Sequence, residues 1–369
     1  MKAKIINIKT KQKNYKIYFG EKLIKNFKSI LQKEKIKFNK SLIVLDSKIS
    51  SKYFKIIKKS INGKKFLLKI NSTEKNKNFY TVIKISKLLL KHNFSRNDCL
   101  ISIGGGIIGD MCSFTASIFK RGMKYINIPS TLLAQVDSSI GGKTGVNDLF
   151  YGKNLIGTFY QPDLVLSDTS ILKTLSKKEL VCGYAEILKH SLIDGKKNFN
   201  YLDKHNDKIL NLENPYLINS IVASCKIKKN IIEKDVFEKN FRKTLNLGHT
   251  FGHAYEAASG YKKGLNHGEG VILGIKTSIK FSLKEKLITK KNYDLIYNHI
   301  KNLGFSRNLS KIFTKKDIAK LISYMRNDKK NNSDKINLIL LKNIGRTVIN
   351  NLYSSNKLKK FFYKELINL

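Results

Sequence analysis

At 369 residues, the chain is too long for one ordinary core and long enough for two domains that each bury substantial apolar surface. Its 71 Lys+Arg against 27 Asp+Glu give a formal net charge of +44, a balance that raises nucleic acid as a partner. The lysines are nevertheless spread over nearly every segment (KTKQKNYK, KKSINGKK, NDKKNNSDK) alongside abundant Asn and Ile, a pattern of coding bias that argues against a nucleic-acid surface and leaves a field attractive to anionic small molecules.

The first twenty residues, MKAKIINIKTKQKNYKIYFG, alternate apolar and charged positions and lack the unbroken apolar stretch of a signal peptide. No uncharged apolar run reaches the roughly 18 residues of a membrane-spanning helix, so no membrane partner and a cytoplasmic location are expected. Cys99, Cys112, Cys182 and Cys225 lie far apart, which predicts small buried hydrophobes rather than disulfides or a thiolate zinc site. Apolar runs bounded by turn residues predict strands at 41–45 (SLIVL), 66–70, 99–103 (CLISI) and 125–128, with helical stretches between them, the alternation of a helix-covered parallel sheet. Asp46 directly follows the first run.

After the strand at 99–103, the segment CLISIGGGIIGDMCSFTAS sets Gly104, Gly106 and Gly109 in G-x-G-x-x-G register at the start of a helix. Glycines there let the backbone turn tightly and approach a pyrophosphate, while the free amides of the helix start stabilise its charge. Taken alone, the pattern is weak, because glycine-rich turns after strands are common. No acidic residue for a ribose follows about 20 residues later, where the chain reads INIPST; Asp46 is the alternative acceptor.

From about Leu175 the periodicity changes to apolar residues three and four apart, and strand-like runs almost vanish. The expected organisation is an α/β Rossmann-like domain over 1–175 followed by an all-α domain over 176–369, with the polar stretch 327–335 as a loop. In the second half, LNLGHTFGHAYEAASG places His249 and His253 one helical turn apart, a spacing typical of a metal pair. Glu186 in GYAEILKHS and His267 in NHGEGV complete a set of two imidazoles and one carboxylate suited to catalytic zinc, although spacing leaves open which two histidines bind. Arg121, Lys143, Lys153, Asn154, Lys189, Lys228, Arg242, Asn246 and Lys329 are solvated surface groups when read singly. Combined with the glycine loop and the metal ligands, they suggest an anion pocket.

Together GGGIIGD, RGMKYINIPSTLLAQVDSSIGGKTGVN, GKNLIGTFYQP, the E-x-x-K of Glu186 and Lys189, LNLGHTFGHA and HGEGV closely resemble the 3-dehydroquinate synthase family, in order, from about Asp46 to Leu341. The resemblance implies a Rossmann-like NAD domain, a helical domain, an active site in the cleft between them, and a homodimer in which Arg121 reaches across the interface. It implies zinc, with cobalt as a substitute, on Glu186, His249 and His267, which turns His253 into a substrate and proton-handling residue. NAD+ would meet Asp46, Glu74, Lys77, the loop Gly104, Gly105, Gly106, Ile107, Ile108, Gly109 and Asp110, then Ser130, Thr131, Lys143, Lys153, and the segment Ile171, Leu172, Lys173, Thr174. Substrate phosphate would be held by Lys143, Asn154, His253 and Lys329, the carboxylate by Lys228 and Arg242, and the hydroxyls by Asp137, Lys189, Glu238 and Asn246.

The implied substrate is an anionic sugar-acid phosphate, 3-deoxy-D-arabino-heptulosonate 7-phosphate. The implied reaction is transient oxidation at C5 by NAD+, acidification of the C6 proton with the metal's help, phosphate elimination, return of the hydride and intramolecular aldol closure. His253 and Glu238 are the candidate proton relay. Two departures from the family pattern stand out: STEKNK (Ser72 to Lys77) replaces a usual Asp-Gly-Glu start, and one extra residue lies between Lys143 and Lys153 (NDLFYGKN). Substrates lacking a carboxylate, as in other sugar-phosphate cyclases or polyol dehydrogenases, would leave Lys228 and Arg242 without their ligand.

Overall fold

The computed structural model of the chain describes residues 3–148, 150–235, 241–260, 265–305, 307–327 and 335–367. It divides into two compact units, Met1–Ser176 and Lys177–Leu369.

Unit 1 carries strands β1 (Lys4–Ile8), β2 (Tyr15–Gly20), β3 (Lys40–Asp46), β4 (Lys64–Ile70), β5 (Cys99–Gly104), β6 (Lys124–Pro129), β7 (Val146–Asp148), β8 (Gly152–Ile156) and β9 (Leu164–Asp168). Helices α1 (Phe27–Lys33), α2 (Lys52–Ser60), α3 (Phe79–Lys91) and α4 (Gly106–Ile118) lie among them. Seven strands form one sheet in the order β1-β2-β9-β6-β5-β3-β4, parallel except for the antiparallel edge strand β1. The four strands expected from sequence are β3 to β6. Every position of β5, and all but the first of β3, is buried. Such unbroken burial is why these strands read as continuous apolar runs instead of alternating ones.

From β3 the chain crosses to β4 on one side and then returns to β5 on the other, since β3 pairs in parallel with both. A crevice opens at the carboxyl ends of strands where the winding reverses. Asp46 ends β3 and Gly104 ends β5, so both sit at that reversal.

Unit 2 contains α5 (Lys177–Asp194), α6 (Lys196–Leu210), α7 (Tyr216–Lys234), α8 (His249–Ser259), α9 (His267–Lys284), α10 (Lys290–Asn302), α11 (Ile318–Asn327) and α12 (Ser355–Ile367). Residues Leu180 to Ile193 of α5 are all buried, and α6, α7 and α9 pack around it. A helix buried all round needs no amphipathic stripe, and that is why its polar residues can only be internal.

The helical reading of 176–369 needs one correction. Strands β10 (Lys335–Asn343) and β11 (Arg346–Ser354) form an antiparallel hairpin, so the unit is not all-α. The turn holds Gly345 at φ 89, and Ile336, Leu338 and Leu340 pack into a core with Phe281 and Phe361. The apolar run NLILL is short and sits beside an unbroken polar stretch, which masked its strand character. Residues 328–334, most of the expected loop, lie outside the described residues. All four cysteines are free and buried, as expected, and among the described residues no helix is long and apolar enough to cross a membrane.

Candidate active site

In unit 1 the glycine loop joins β5 to α4 through atoms that leave no room for side chains. A Cβ on Gly104 would fall 2.5 Å from Ile108 Cβ, one on Gly105 3.1 Å from Thr131 Cγ2, and one on Gly106 3.0 Å from Ser138 Oγ. Gly105 caps α4 without a side-chain hydrogen bond, so no cap side chain takes up the first-turn amides, and an anion there is stabilised by such amides and by the helix dipole. The Ser130 amide donates to the Gly104 carbonyl at 2.9 Å, holding the ends of β5 and β6 in register. Ser138 and half-buried Asp137 belong to a single π-helical turn, Ala134–Ser138, a distortion often found where function bends a helix.

The other candidate cofactor residues of unit 1 fall into three groups. Asp46 is buried and accepts hydrogen bonds from the Lys48 amide at 3.1 Å and the Ser72 hydroxyl at 2.5 Å. The departing STEKNK stretch thus supplies, through Ser72, a donor to Asp46. Glu74 accepts from Asn147 Nδ2 at 2.7 Å.

Buried Lys77 donates to Asp110 and to Asn154 Oδ1, each at 2.5 Å. Burial pushes the Asp110 carboxyl up from its ordinary value and the Lys77 ammonium opposes that rise. Asn154 sits at φ 57 on β8, next to exposed Lys153, and Lys143 is exposed as well. In the remaining segment, Ile108, Ile171 and Leu172 are core residues, Ile107 packs against the core and Lys173 pairs with Glu21 at 3.1 Å. Any ligand contact there falls to the backbone or to Thr174. Arg121 is exposed at φ 64 and lines a depression of about 580 Å³ with Lys13, Arg96, Lys124 and Asp163.

In unit 2 three helices bring a carboxylate and two imidazoles together. Glu186 of α5, His249 of α8 and His267 of α9 each offer a ligand atom, all within 4.8 Å of one another. His249 Nε2 and His267 Nε2 stand 3.5 and 3.7 Å from Glu186 Oε1. His249 Nδ1 donates to the Leu247 carbonyl at 3.3 Å, so Nε2 carries the lone pair and faces Glu186.

Burial alone would raise the Glu186 carboxyl, but the Lys189 ammonium ion-paired with it, together with the surrounding imidazoles, holds it well below the ordinary range. Burial and Lys189 hold His249 well below its ordinary value, in the neutral form that ligates metal. Burial lowers His267 too, yet hydrogen bonds to Glu186 and Glu256 win and push it up to about 10.

The close approach of α8 and α9 explains the glycines of both motifs. A Cβ on Gly274 would lie 2.0 Å from the Gly248 carbonyl oxygen, and one on Gly252 2.8 Å from that of Gly270. Gly248 also sits at φ 79. Glycine at four-residue spacing on both helices lets the two backbones touch, which brings the histidines of α8 to the start of α9. There Asn266 and Glu269 form a capping box, and Gly268 passes Cys182 of α5 so closely that a Cβ would meet Cys182 Cα at 2.1 Å.

Of the remaining candidates, Lys189, Lys228 and Arg242 are buried at 2%, 6% and 2% exposure, and Asn246 and His253 are half-buried. The His253 ring lies edge-on to His249 with centroids 5.2 Å apart. Glu238 and Lys329 lie outside the described residues. Sequence reasoning missed Glu256, whose carboxylate accepts from His267 Nδ1 at 3.0 Å, and buried His190, 3.9 Å from Glu186 and bonded to Ser224 at 2.6 Å. The signal for Glu256 was its place seven residues after His249, on the same helix face.

Family models described as 3-dehydroquinate synthase N-terminal and 3-dehydroquinate synthase C-terminal match residues 67–182 and 183–331. A 3-dehydroquinate synthase of Pelagibacter ubique is 50% identical over 362 residues, 98% of each chain. Among solved structures, 2-deoxy-scyllo-inosose synthase with carbaglucose-6-phosphate, NAD+ and Co2+ superposes with a TM-score of 0.86 at 23% identity, covering 98% of this chain and 100% of that one. The 2-epi-5-epi-valiolone synthase of Streptomyces hygroscopicus with NAD+ and Zn2+ gives 0.85 at 22% identity, covering 96% and 98%. At these identities, the two structures speak to the fold.

Proposed function

The chain belongs to the 3-dehydroquinate synthase family, and on that premise we propose that it converts 3-deoxy-D-arabino-heptulosonate 7-phosphate to 3-dehydroquinate and phosphate, the second step of the shikimate pathway, using NAD+ and one Zn2+. The observation that carries this reading is the convergence of Glu186, His249 and His267 within 4.8 Å. One carboxylate and two imidazoles, their Nε2 atoms facing the carboxylate, are a donor set suited to zinc, and Co2+ fits the same ligands. The crowded Gly104 turn and the uncapped start of α4 suit a pyrophosphate, with Asp46 at the end of β3 as the ribose acceptor.

When bound, NAD+ supplies a reversible hydride acceptor and the divalent ion a Lewis acid at the reacting carbinol. The chain's own side chains hold and orient the substrate. Lys228 and Arg242 take the carboxylate, as buried cations whose low-dielectric setting strengthens a charge-assisted bond. Lys143, Asn154, His253 and Lys329 take the phosphate; Asp137, Lys189, Glu238 and Asn246 take the hydroxyls. Fixing both anionic ends while the ring between them changes shape supplies the orientation that elimination and closure need. His253 and Glu238 handle the proton at C6. In this reading the enzyme is a cytoplasmic homodimer with Arg121 completing the partner's site.

The test follows phosphate release and reduced-nicotinamide absorbance together, with purified protein, the heptulosonate phosphate, NAD+ and Zn2+. Phosphate without lasting NADH is expected. Accumulating NADH would indicate a net dehydrogenase, and no phosphate release would remove the assignment.

A further inference from the structure

Glu256 has no part in the assignments above, yet it touches a metal-ligand candidate. Its Oε1 accepts from His267 Nδ1 at 3.0 Å, with 20% of the Glu256 side chain and 34% of the His267 side chain exposed. On α8 it stands three residues beyond His253 and seven beyond His249, so one helix face carries all three.

The two histidines that face Glu186 are oriented by different means. His249 uses the Leu247 carbonyl of its own backbone. His267 opens α9, where a helix presents amides rather than carbonyls, so its Nδ1–H needs an acceptor from elsewhere. Gly270 makes the space for one: a Cβ there would meet Glu256 Cγ at 2.9 Å and Oε1 at 3.0 Å. The second glycine of HGEGV thus admits the carboxylate that reaches His267.

We propose that Glu256 is a positioning residue of the metal centre, holding His267 with its proton on Nδ1 so that Nε2 stays directed at the ion shared with Glu186 and His249. A carboxylate behind a ligating imidazole fixes its tautomer and ring plane and strengthens its donor nitrogen. Glu256 acts through His267 and does not touch the substrate. The inference rests on the proposed metal triad, and the experiment separates the two.

Full-length protein, stripped of metal, is titrated with Co2+ in a metal buffer while the visible d–d bands are recorded. Wild type is expected to take one Co2+ per chain and His249→Ala none. If wild type binds no Co2+, or His249→Ala binds it unchanged, the triad itself is wrong. Given a sound triad, Glu256→Ala should weaken Co2+ by about 10- to 100-fold with a shifted spectrum. Glu256→Gln, whose amide oxygen can still accept from Nδ1–H, should recover most of the loss.

Wild-type affinity and spectrum in Glu256→Ala would overturn the inference. So would two Co2+ per chain with one lost in that variant, because His253, Glu256 and His267 also lie within 4.8 Å and would then be a second ion's ligands. Should Glu256→Ala fail to fold, nitrogen-15 NMR of wild type with Zn2+ reads the same point. A protonated Nδ1 on His267 is expected, and metal bound through Nδ1 contradicts it.

Discussion

The two units build their candidate sites from different materials. In unit 1 the glycine turn presents backbone amides, and its geometry depends on three missing side chains at Gly104, Gly105 and Gly106. In unit 2 the site is made of side chains from three helices, aligned because Gly248, Gly252, Gly270 and Gly274 let two backbones meet. A backbone site is encoded locally and tolerates its neighbours, whereas a side-chain constellation depends on the packing of the whole unit. The second is therefore the more fragile to substitution.

The largest effect should come from the constellation. His249→Ala is expected to lose the metal and at least 10³-fold in turnover, whereas His253→Ala should keep near-stoichiometric metal and lose about 10²- to 10⁴-fold, the range of general acid–base catalysis. Elemental analysis beside kcat separates them, and equal metal loss in both variants would merge the roles assigned here. Next comes the seam: Gly274→Ala sets a Cβ 2.0 Å from the Gly248 oxygen, so overpacking should cost about 1–3 kcal/mol in thermal or denaturant unfolding and weaken metal binding with it. Gly104→Ala makes the converse case, with a Cβ 2.5 Å from Ile108 Cβ. Calorimetry should show NAD+ affinity falling about tenfold or more while metal content stays unchanged, if the two sites are independently encoded.

The smallest effect concerns Asp98, just before β5. Its carboxylate accepts from the Lys40 amide at 2.9 Å, the Ser95 amide at 2.7 Å and the Ser95 hydroxyl at 2.9 Å. Burial would raise it, but these bonds and the Lys40 charge hold it below its ordinary value. A carboxyl lowered by folding stabilises fully above its unfolded value of about 4 and loses that contribution as pH falls through the lower folded one. Asp98→Asn, whose amide oxygen keeps part of the acceptor set, should thus cost only about 0.5–1 kcal/mol at neutral pH and flatten the acid limb of the stability curve. An unchanged acid limb would show that the carboxylate's charge contributes little.

How much of this was legible in the sequence follows the same division. The glycine register, the strand before it and Asp46 could be read directly, because a turn, its helix and a neighbouring strand end are local features. The metal set could be read as residue types, but spacing alone left open which two histidines bind, since His249 and His253 share one helix face while His267 lies on another segment. Only the approach of α9 brings His267 opposite Glu186, and only the resemblance to a family carried that assignment. The β10–β11 hairpin and Glu256 stayed hidden for a related reason. One is a short apolar run beside polar residues, and the other is a carboxylate whose partner is eleven residues away across a glycine contact.

The central claim is that Glu186, His249 and His267 share one ion. Crystals grown with Zn2+ and measured across the zinc absorption edge test it directly through the anomalous difference map. The account predicts a single peak about 2.0–2.2 Å from one oxygen of Glu186 and from the Nε2 atoms of His249 and His267. A peak held instead by His253 and Glu256, or no peak at the triad, would contradict it.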